Sequence, residues 1–123
     1  NNSPIIYSCL NYYDKPMNRT IKFRIWDIAK MFYKCSVGSH NPSVYDSENG
    51  FTSWKECTEK AIVMQYTGLK DKNGKEIYEF MELDSKYEVI YQAPSYVLKD
   101  ISTSDIIPLY GNKYEVTKEY TKI

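Results

Sequence analysis

The sequence predicts a mainly β protein, and three observations support this fold class. Short stretches of alternating apolar and polar residues recur about every ten residues between turn-forming residues, as in small antiparallel barrels and sandwiches. Tyrosine is unusually frequent, with 13 Tyr beside 4 Phe and 2 Trp, and aromatic residues favour strands. The 123 residues suffice for one domain with at most a small appendage. A single short helix would make the fold α+β overall.

The composition is that of a folded protein without excess charge. Sixteen basic and 16 acidic residues give a formal net charge of zero, which argues against a surface that grips nucleic acid through bulk positive charge. Hydrophobic residues make up 42% and charged residues 26% of the chain, so disorder is not expected. No stretch approaches the ~18 apolar residues of a membrane span, and the chain does not open on a signal peptide. We therefore expect no contact with a membrane.

The three cysteines, Cys9, Cys35 and Cys57, include no CxxC pair. A disulfide scaffold or a zinc site requires more ligands or tighter spacing. The sequence therefore predicts free thiols in a reducing, cytosolic compartment.

The first 16 residues differ from the rest of the chain. They contain no methionine, and Met17 could be a natural start, so we treat residues 1–16 as an extension of uncertain origin. Within it, residues 5–10 could add a strand between Pro4 and Pro16.

Between residues 17 and 61 the pattern predicts strands, a loop and one helix. Apolar residues alternate with polar ones over residues 21–26, which indicates a strand with one buried face. Residues 31–35 would form its partner, and Gly, Ser, Asn and Pro mark residues 37–50 as a loop. Ser53 and Glu56 match a capping box, which predicts a short helix near residues 53–60.

From residue 62 onward the chain is predicted to form only strands and turns. Asn73-Gly74 separates two strand-like segments and reads as the tip of a hairpin with two positive-φ residues. Asp84-Ser85 marks another turn. Further strands are predicted over residues 86–92, 95–99 and 114–123.

The most specific feature is residues 64–79, with the sequence MQYTGLKDKNGKEIYE. This segment resembles the hallmark of the YopX family, small proteins of bacteriophages and prophages. Residues 21–27 and 114–116 resemble the family's opening and closing strands, so the resemblance spans residues 17–123. It implies an SH3-type barrel over residues 62–123, preceded by a smaller β-rich part over residues 17–61. It implies no catalytic residues.

Two departures from the family pattern bear on the structure. After Ile-Tyr-Glu the family usually continues Gly-Asp-Ile-Val, whereas this chain reads FMEL over residues 80–83. The family's Gly permits a bend and its Asp can bond backbone donors, and we expect Phe80 and Met81 to do neither. Phe80 should instead be buried against an element outside the barrel core. The second departure is the tail, TKEYT over residues 117–121, where the family has a Gly-Asn-Ile-Tyr-Glu-Asn-Pro-like sequence.

No constellation of residues points to catalysis, a metal or a cofactor. His40 is the single histidine, and its pairing with Cys35 or Cys57 as a nucleophile is less favoured than a solvated loop position. The carboxylates of residues 71–84 read as a solvated, Lys-interleaved strand edge.

The tyrosines of the second half are the remaining candidates for function. Exposed aromatic residues can stack single-stranded bases or form the core of a protein interface, and the zero net charge favours a protein. Together with the phage association that the resemblance to the YopX family implies, this leads us to expect a non-enzymatic phage or prophage accessory protein in the bacterial host cytoplasm. It would bind a host or phage protein, most plausibly a host protein during infection or lysogeny, including host-defence components. The alternative is a nucleic-acid-binding barrel in phage DNA or RNA metabolism. The binding-surface candidates are Tyr66, Tyr78, Phe80, Tyr91, Tyr96 and Tyr110.

Overall fold

The computed structural model describes residues 20–38, 41–48 and 50–123, and this part of the chain is all β. Residues 1–16, Cys9, the possible strand at 5–10 and His40 lie outside the described residues. The strands are β1 (Phe23–Asp27), β2 (Lys30–Phe32), β3 (Cys35–Ser36), β4 (Ser43–Glu48), β5 (Phe51–Glu56), β6 (Ile62–Lys70), β7 (Glu76–Tyr78), β8 (Glu82–Leu83), β9 (Tyr87–Gln92), β10 (Ser95–Asp100), β11 (Ile106–Pro108) and β12 (Val116–Lys118).

The strands form three antiparallel sheets. Four strands are ordered β2-β1-β6-β7, three are ordered β3-β4-β5, and five are ordered β11-β10-β9-β8-β12. The mainly β prediction is therefore confirmed. The predicted closing strand is shorter than expected, because only Val116–Lys118 of residues 114–123 pair as a strand.

The predicted helix near residues 53–60 is wrong, because these residues begin inside strand β5. Phe51–Glu56 pair with β4 over six consecutive positions. A helix of two turns is marginal in water, so the capping-box signal of Ser53 and Glu56 is outweighed by cross-strand pairing. The partner strand β4 lies in the segment predicted as a loop, where Val44 anchors it in a buried cluster.

Two hydrophobic cores hold the sheets together. The smaller consists of Ile25, Phe32 and Val44, with Cys35 and Cys57 packed against it. Both of these cysteines are free thiols, as the sequence predicts. The larger core is built from the C-terminal strands by Tyr66, Ile77, Tyr78, Met81, Leu83, Val89, Leu98 and Tyr114.

Strand β6 contributes to both cores, so it joins the two halves of the chain. Its first residues pair with β1 and its far end pairs with β7. Val63 packs against the smaller core, and Tyr66 belongs to the larger. The predicted division between residues 17–61 and 62–123 would fall at the start of this strand, and it stays a prediction.

Strand β1 is buried on both faces, whereas the alternation predicted one. Ile25 faces the smaller core, and the side chain of Arg24 on the other face is fully buried. The Nη2 atom of Arg24 donates hydrogen bonds to the carbonyl oxygens of Glu119 at 2.6 Å and Glu79 at 3.1 Å. The guanidinium also lies 5.1 Å from the ring centroid of Tyr78, a favourable cation–π distance. Arg24 thus links β1, the end of β7 and the C-terminal segment.

The hairpin turn predicted at Asn73-Gly74 is confirmed between β6 and β7. Gly74 has φ +85° and donates to Asp71 O at 3.0 Å, but Asn73 does not have positive φ. No second residue of the Asn73-Gly74 turn has positive φ, and the side chain of Asp71 holds the turn instead. Its side chain, 2% exposed, accepts bonds from Asn73 N and Lys75 N at 2.8 Å and from Val116 N at 3.0 Å.

Phe80 adopts the conformation that the family's glycine would permit, which corrects the expectation that it cannot. Its φ is +66°, and its backbone is held by bonds from Phe80 N to Val89 O and from Thr121 N to Phe80 O, both 2.8 Å. Its half-buried ring lies 6.4 Å from that of Tyr120 in the C-terminal segment. Phe80 therefore packs outside the larger core.

We expect Gly74→Val to destabilise the fold by about 1–2 kcal/mol, because a β-branched residue resists positive φ. A Cβ atom here would meet nothing within 4 Å, so the cost is conformational. Gly38→Val is the matched control, since its site is equally open and its φ is not positive. Urea unfolding measures both, and equal midpoints for the two variants would contradict the prediction.

We expect Asp71→Asn to cost about 1–3 kcal/mol at neutral pH, because the amide NH₂ would face Val116 N, another donor. Burial opposes ionisation, but the bonds from Val116 N, Lys75 N and Asn73 N lower the pKa of Asp71 below its ordinary value. A lowered folded pKa stabilises the protein above the unfolded pKa, and this stability is lost as pH falls through the folded pKa.

The stability gap between wild type and Asp71→Asn should therefore narrow between neutral pH and about pH 3, as measured by urea unfolding at each pH. Asp105→Asn, at an exposed position, is the control. A gap that does not change with pH would show that ionised Asp71 is not the stabilising form.

We expect Arg24→Leu to cost about 2–4 kcal/mol, because it leaves the carbonyls of Glu79 and Glu119 without their donor. Glu119→Gln is the matched control. It retains an oxygen acceptor for Arg24 and Tyr33 and leaves both carbonyl bonds of Arg24 in place, so it should cost less than Arg24→Leu. Thermal or urea unfolding measures both, and a larger loss from Glu119→Gln would overturn this ranking.

Candidate functional site

The described residues contain no cluster that indicates a metal centre. No three His, Cys, Asp or Glu side chains in this part of the chain converge as ligands. The carboxylates predicted as a solvated strand edge are not all solvated, because Asp71 is buried in the hairpin turn. The described part of the chain contains no helix long and apolar enough to span a membrane.

Two of the predicted surface tyrosines are core residues. Tyr66 and Tyr78 are 7% and 4% exposed, directly opposite each other in the β6–β7 pairing, with ring centroids 5.5 Å apart. Burial, followed by the charge of Glu76, raises the pKa of Tyr78 to about 12. This pair therefore faces inward, and both side chains are almost entirely buried.

Two of the candidates, the exposed Tyr91 and the half-buried Tyr96, form an aromatic pair. They face each other across the β9–β10 hairpin, and their rings meet edge to face with centroids 5.2 Å apart. Tyr91 is 53% exposed. Edge-to-face packing fixes the two rings relative to each other, so they offer a rigid aromatic surface.

This pair lines a groove of about 590 Å³, which we call the aromatic groove. The β9–β10 hairpin forms one side with Tyr91, Tyr96, Pro94 and Ser95, and the other lining residues are Gln65, Thr67, Leu69, Glu79 and Leu109. A second groove of about 400 Å³ shares Ser95, Tyr96 and Leu109 with the first and is otherwise apolar. The two grooves therefore adjoin, and apolar side chains line most of the second, whereas polar and apolar side chains both line the first.

The lining carries a single charge among the described residues, that of Glu79. Its Oε1 atom accepts a hydrogen bond from Gln65 N at 2.6 Å. The carboxylate is therefore held on the wall of the groove. A ligand of this surface would meet tyrosine rings, aliphatic and neutral polar side chains, and one negative charge.

The other predicted residues lie elsewhere. Tyr110 is 54% exposed and lies under Lys113 Nζ, 5.4 Å from its ring centroid, but it does not line the aromatic groove. Phe80 packs on Tyr120. The structure thus brings together Tyr91 and Tyr96 and separates them from the other four candidates.

The sequence analysis missed Leu69, Glu79 and Leu109, which reach the groove from three separate segments. One signal was available for the tyrosines. The predicted strands around Ala93-Pro94 place Tyr91 and Tyr96 at equal distances from the hairpin tip, which makes them a cross-strand pair.

A second exposed aromatic surface, on β5, also escaped prediction. Phe51 is 76% and Trp54 49% exposed, and all six residues of β5 are exposed. Trp54 packs edge to face on Tyr45 at 5.4 Å, and Lys34 Nζ lies 4.0 Å from the Tyr45 centroid. The capping box led to the prediction of a helix near residues 53–60, so an exposed strand surface was not expected here.

Comparison with known proteins gives a family. The chain matches no curated protein. The sequence profile described as YopX protein matches residues 22–99, a range that includes Glu79, Tyr91 and Tyr96 and ends before Leu109. Because this match covers more than half of the chain, and because it contains the hairpin segment of residues 64–79, the chain belongs to the YopX protein family.

Proposed function

We propose that this protein is a non-enzymatic phage or prophage accessory protein that binds a protein of its bacterial host through the aromatic groove. The observation that carries the proposal is the edge-to-face Tyr91–Tyr96 pair, which lines a groove together with Leu69, Leu109 and Pro94. The partner would be met in the host cytoplasm during infection or lysogeny, and host-defence components are included among the candidates. The phage association is that of the YopX family.

The chemistry of the groove suits a protein partner. Tyrosine is enriched in the buried centres of protein interfaces, where few residues carry most of the binding energy. Leu69, Leu109 and Pro94 extend the apolar area around the tyrosine pair. A segment of another protein could bury aliphatic or aromatic side chains here.

The charge of the groove disfavours the nucleic-acid alternative. Proteins that stack single-stranded bases combine aromatic residues with a positively charged groove that follows the phosphates. Here the single charge on the described lining is the carboxylate of Glu79. Phosphates would be repelled by this groove, so nucleic acid remains the second candidate.

We also propose that residues 62–123 form an SH3-type barrel. The support is a five-stranded antiparallel sheet from β8 to β12 and a core shared with β6 and β7. The register shift between β12 and β8 is the kind of irregularity that lets a sheet curve. In this arrangement the β9–β10 hairpin stands at the rim and presents the tyrosine pair.

The proposal is tested by comparing capture of host proteins by wild type and by the double variant Tyr91→Ser, Tyr96→Ser. Removing two interface aromatics should weaken binding roughly 30-fold or more. The matched control is Phe51→Ser, which removes a more exposed ring from a different sheet. Quantitative mass spectrometry of proteins retained from host cytosol is the measurement.

A specific partner should be retained by wild type and Phe51→Ser and lost by the double variant, whose unfolding midpoint confirms that it is folded. Equal retention by all three proteins would refute a role for the groove. Salt-dependent, micromolar binding of labelled single-stranded DNA that the double variant abolishes would establish the nucleic-acid alternative.

A further inference from the structure

We infer that the aromatic groove recognises an arginine side chain of its partner, whose guanidinium pairs with Glu79 while its stem lies along the tyrosine rings. This inference rests on the proposed function and names the chemistry of the partner at the same site.

Glu79 is fixed at three points before any ligand arrives. Its Oε1 accepts from Gln65 N at 2.6 Å, its own N–H donates to Gln65 O at 3.1 Å, and its carbonyl accepts from Arg24 Nη2 at 3.1 Å. These bonds hold both the backbone and the carboxylate, which is half-buried. A preorganised charge of this kind loses little freedom when it binds a cation.

Glu79 has no ion-pair partner in the described part of the chain. Several basic side chains pair with other carboxylates: Lys22 with Glu76, Lys30 and Lys55 with Asp46, Lys75 with Glu119, and Lys122 with Glu88. Arg24 contacts the carbonyl of Glu79 rather than its carboxylate. A partly desolvated carboxylate without a counter-charge is compensated when a ligand supplies one.

The groove around Glu79 fits arginine better than lysine. A guanidinium stacks on aromatic faces, is more weakly hydrated than an ammonium, and presents several donors in a plane. The Tyr91–Tyr96 pair supplies the rings, and Leu69 and Leu109 supply aliphatic walls for the three-carbon stem. One carboxylate oxygen already accepts from Gln65 N, and a fork of donors can still bond both oxygens.

The alternative is that Glu79 only ties β7 to Gln65 and plays no part in binding. Glu79→Gln separates these roles, because its amide oxygen can still accept from Gln65 N while the charge is gone. The unfolding midpoint of Glu79→Gln should stay close to that of wild type.

The experiment is selection of random heptapeptides, displayed on yeast, against the full chain. Peptides retained by wild type but not by the Tyr91→Ser, Tyr96→Ser variant are those that occupy the groove. We expect these peptides to share an arginine. Replacing it with citrulline, a neutral isostere, should weaken binding roughly tenfold. Glu79→Gln should bind the arginine and citrulline peptides equally.

The outcomes distinguish the two proposals. If no peptide depends on the tyrosine pair, the groove is not a protein-binding site and both proposals fail. If groove-dependent peptides lack arginine, or if Glu79→Gln still discriminates arginine from citrulline, the proposed function stands and the assignment of Glu79 is overturned.

Discussion

The buried guanidinium of Arg24 is the contact on which the arrangement of this fold depends. It bonds the carbonyls of Glu79 and Glu119 and lies against Tyr78, so a single side chain joins three distant parts of the sequence. Its Nε atom finds no acceptor among the described residues, and burying a charge is costly. An apolar residue would avoid that cost, but it could not satisfy two backbone carbonyls that have left regular strand pairing.

The same contact connects the interior of the protein to the candidate site. The carbonyl of Glu79 accepts a hydrogen bond from Arg24, and its carboxylate accepts one from Gln65 N. Contacts with buried Arg24 and with β6 therefore position the residue that gives the groove its negative charge. Tyr91 and Tyr96 are positioned independently, by the register of their hairpin. The groove therefore lies between two rigid elements, the segment that carries Glu79 and the β9–β10 hairpin. Rigid elements suit a surface that binds by shape and by one fixed charge.

The sequence predicts those features whose causes are local. The turn at Asn73-Gly74 depends on the conformational freedom of Gly74 itself, and the structure confirms this turn. The burial of Arg24 depends on a segment some ninety residues away, which alternation within β1 cannot reveal. Tyr66 and Tyr91 are alike in local sequence character, but strand register sends one inward and the other outward. Ser53 illustrates the opposite error, where a genuine local helix signal is overridden by a partner strand.

The two departures from the YopX family pattern touch each other in the folded protein. Phe80 stands where the family usually has glycine, and its left-handed backbone costs about 1 kcal/mol or more relative to glycine. That backbone accepts a hydrogen bond from Thr121 N, and its ring packs on Tyr120, both in the tail that also departs from the family. Tyr120 in turn contacts Trp26 of β1 at 5.3 Å. The strained turn and the altered tail therefore form one structural unit, in which the contacts made by the tail offset the strain at Phe80 and close the chain over the strand that carries Arg24.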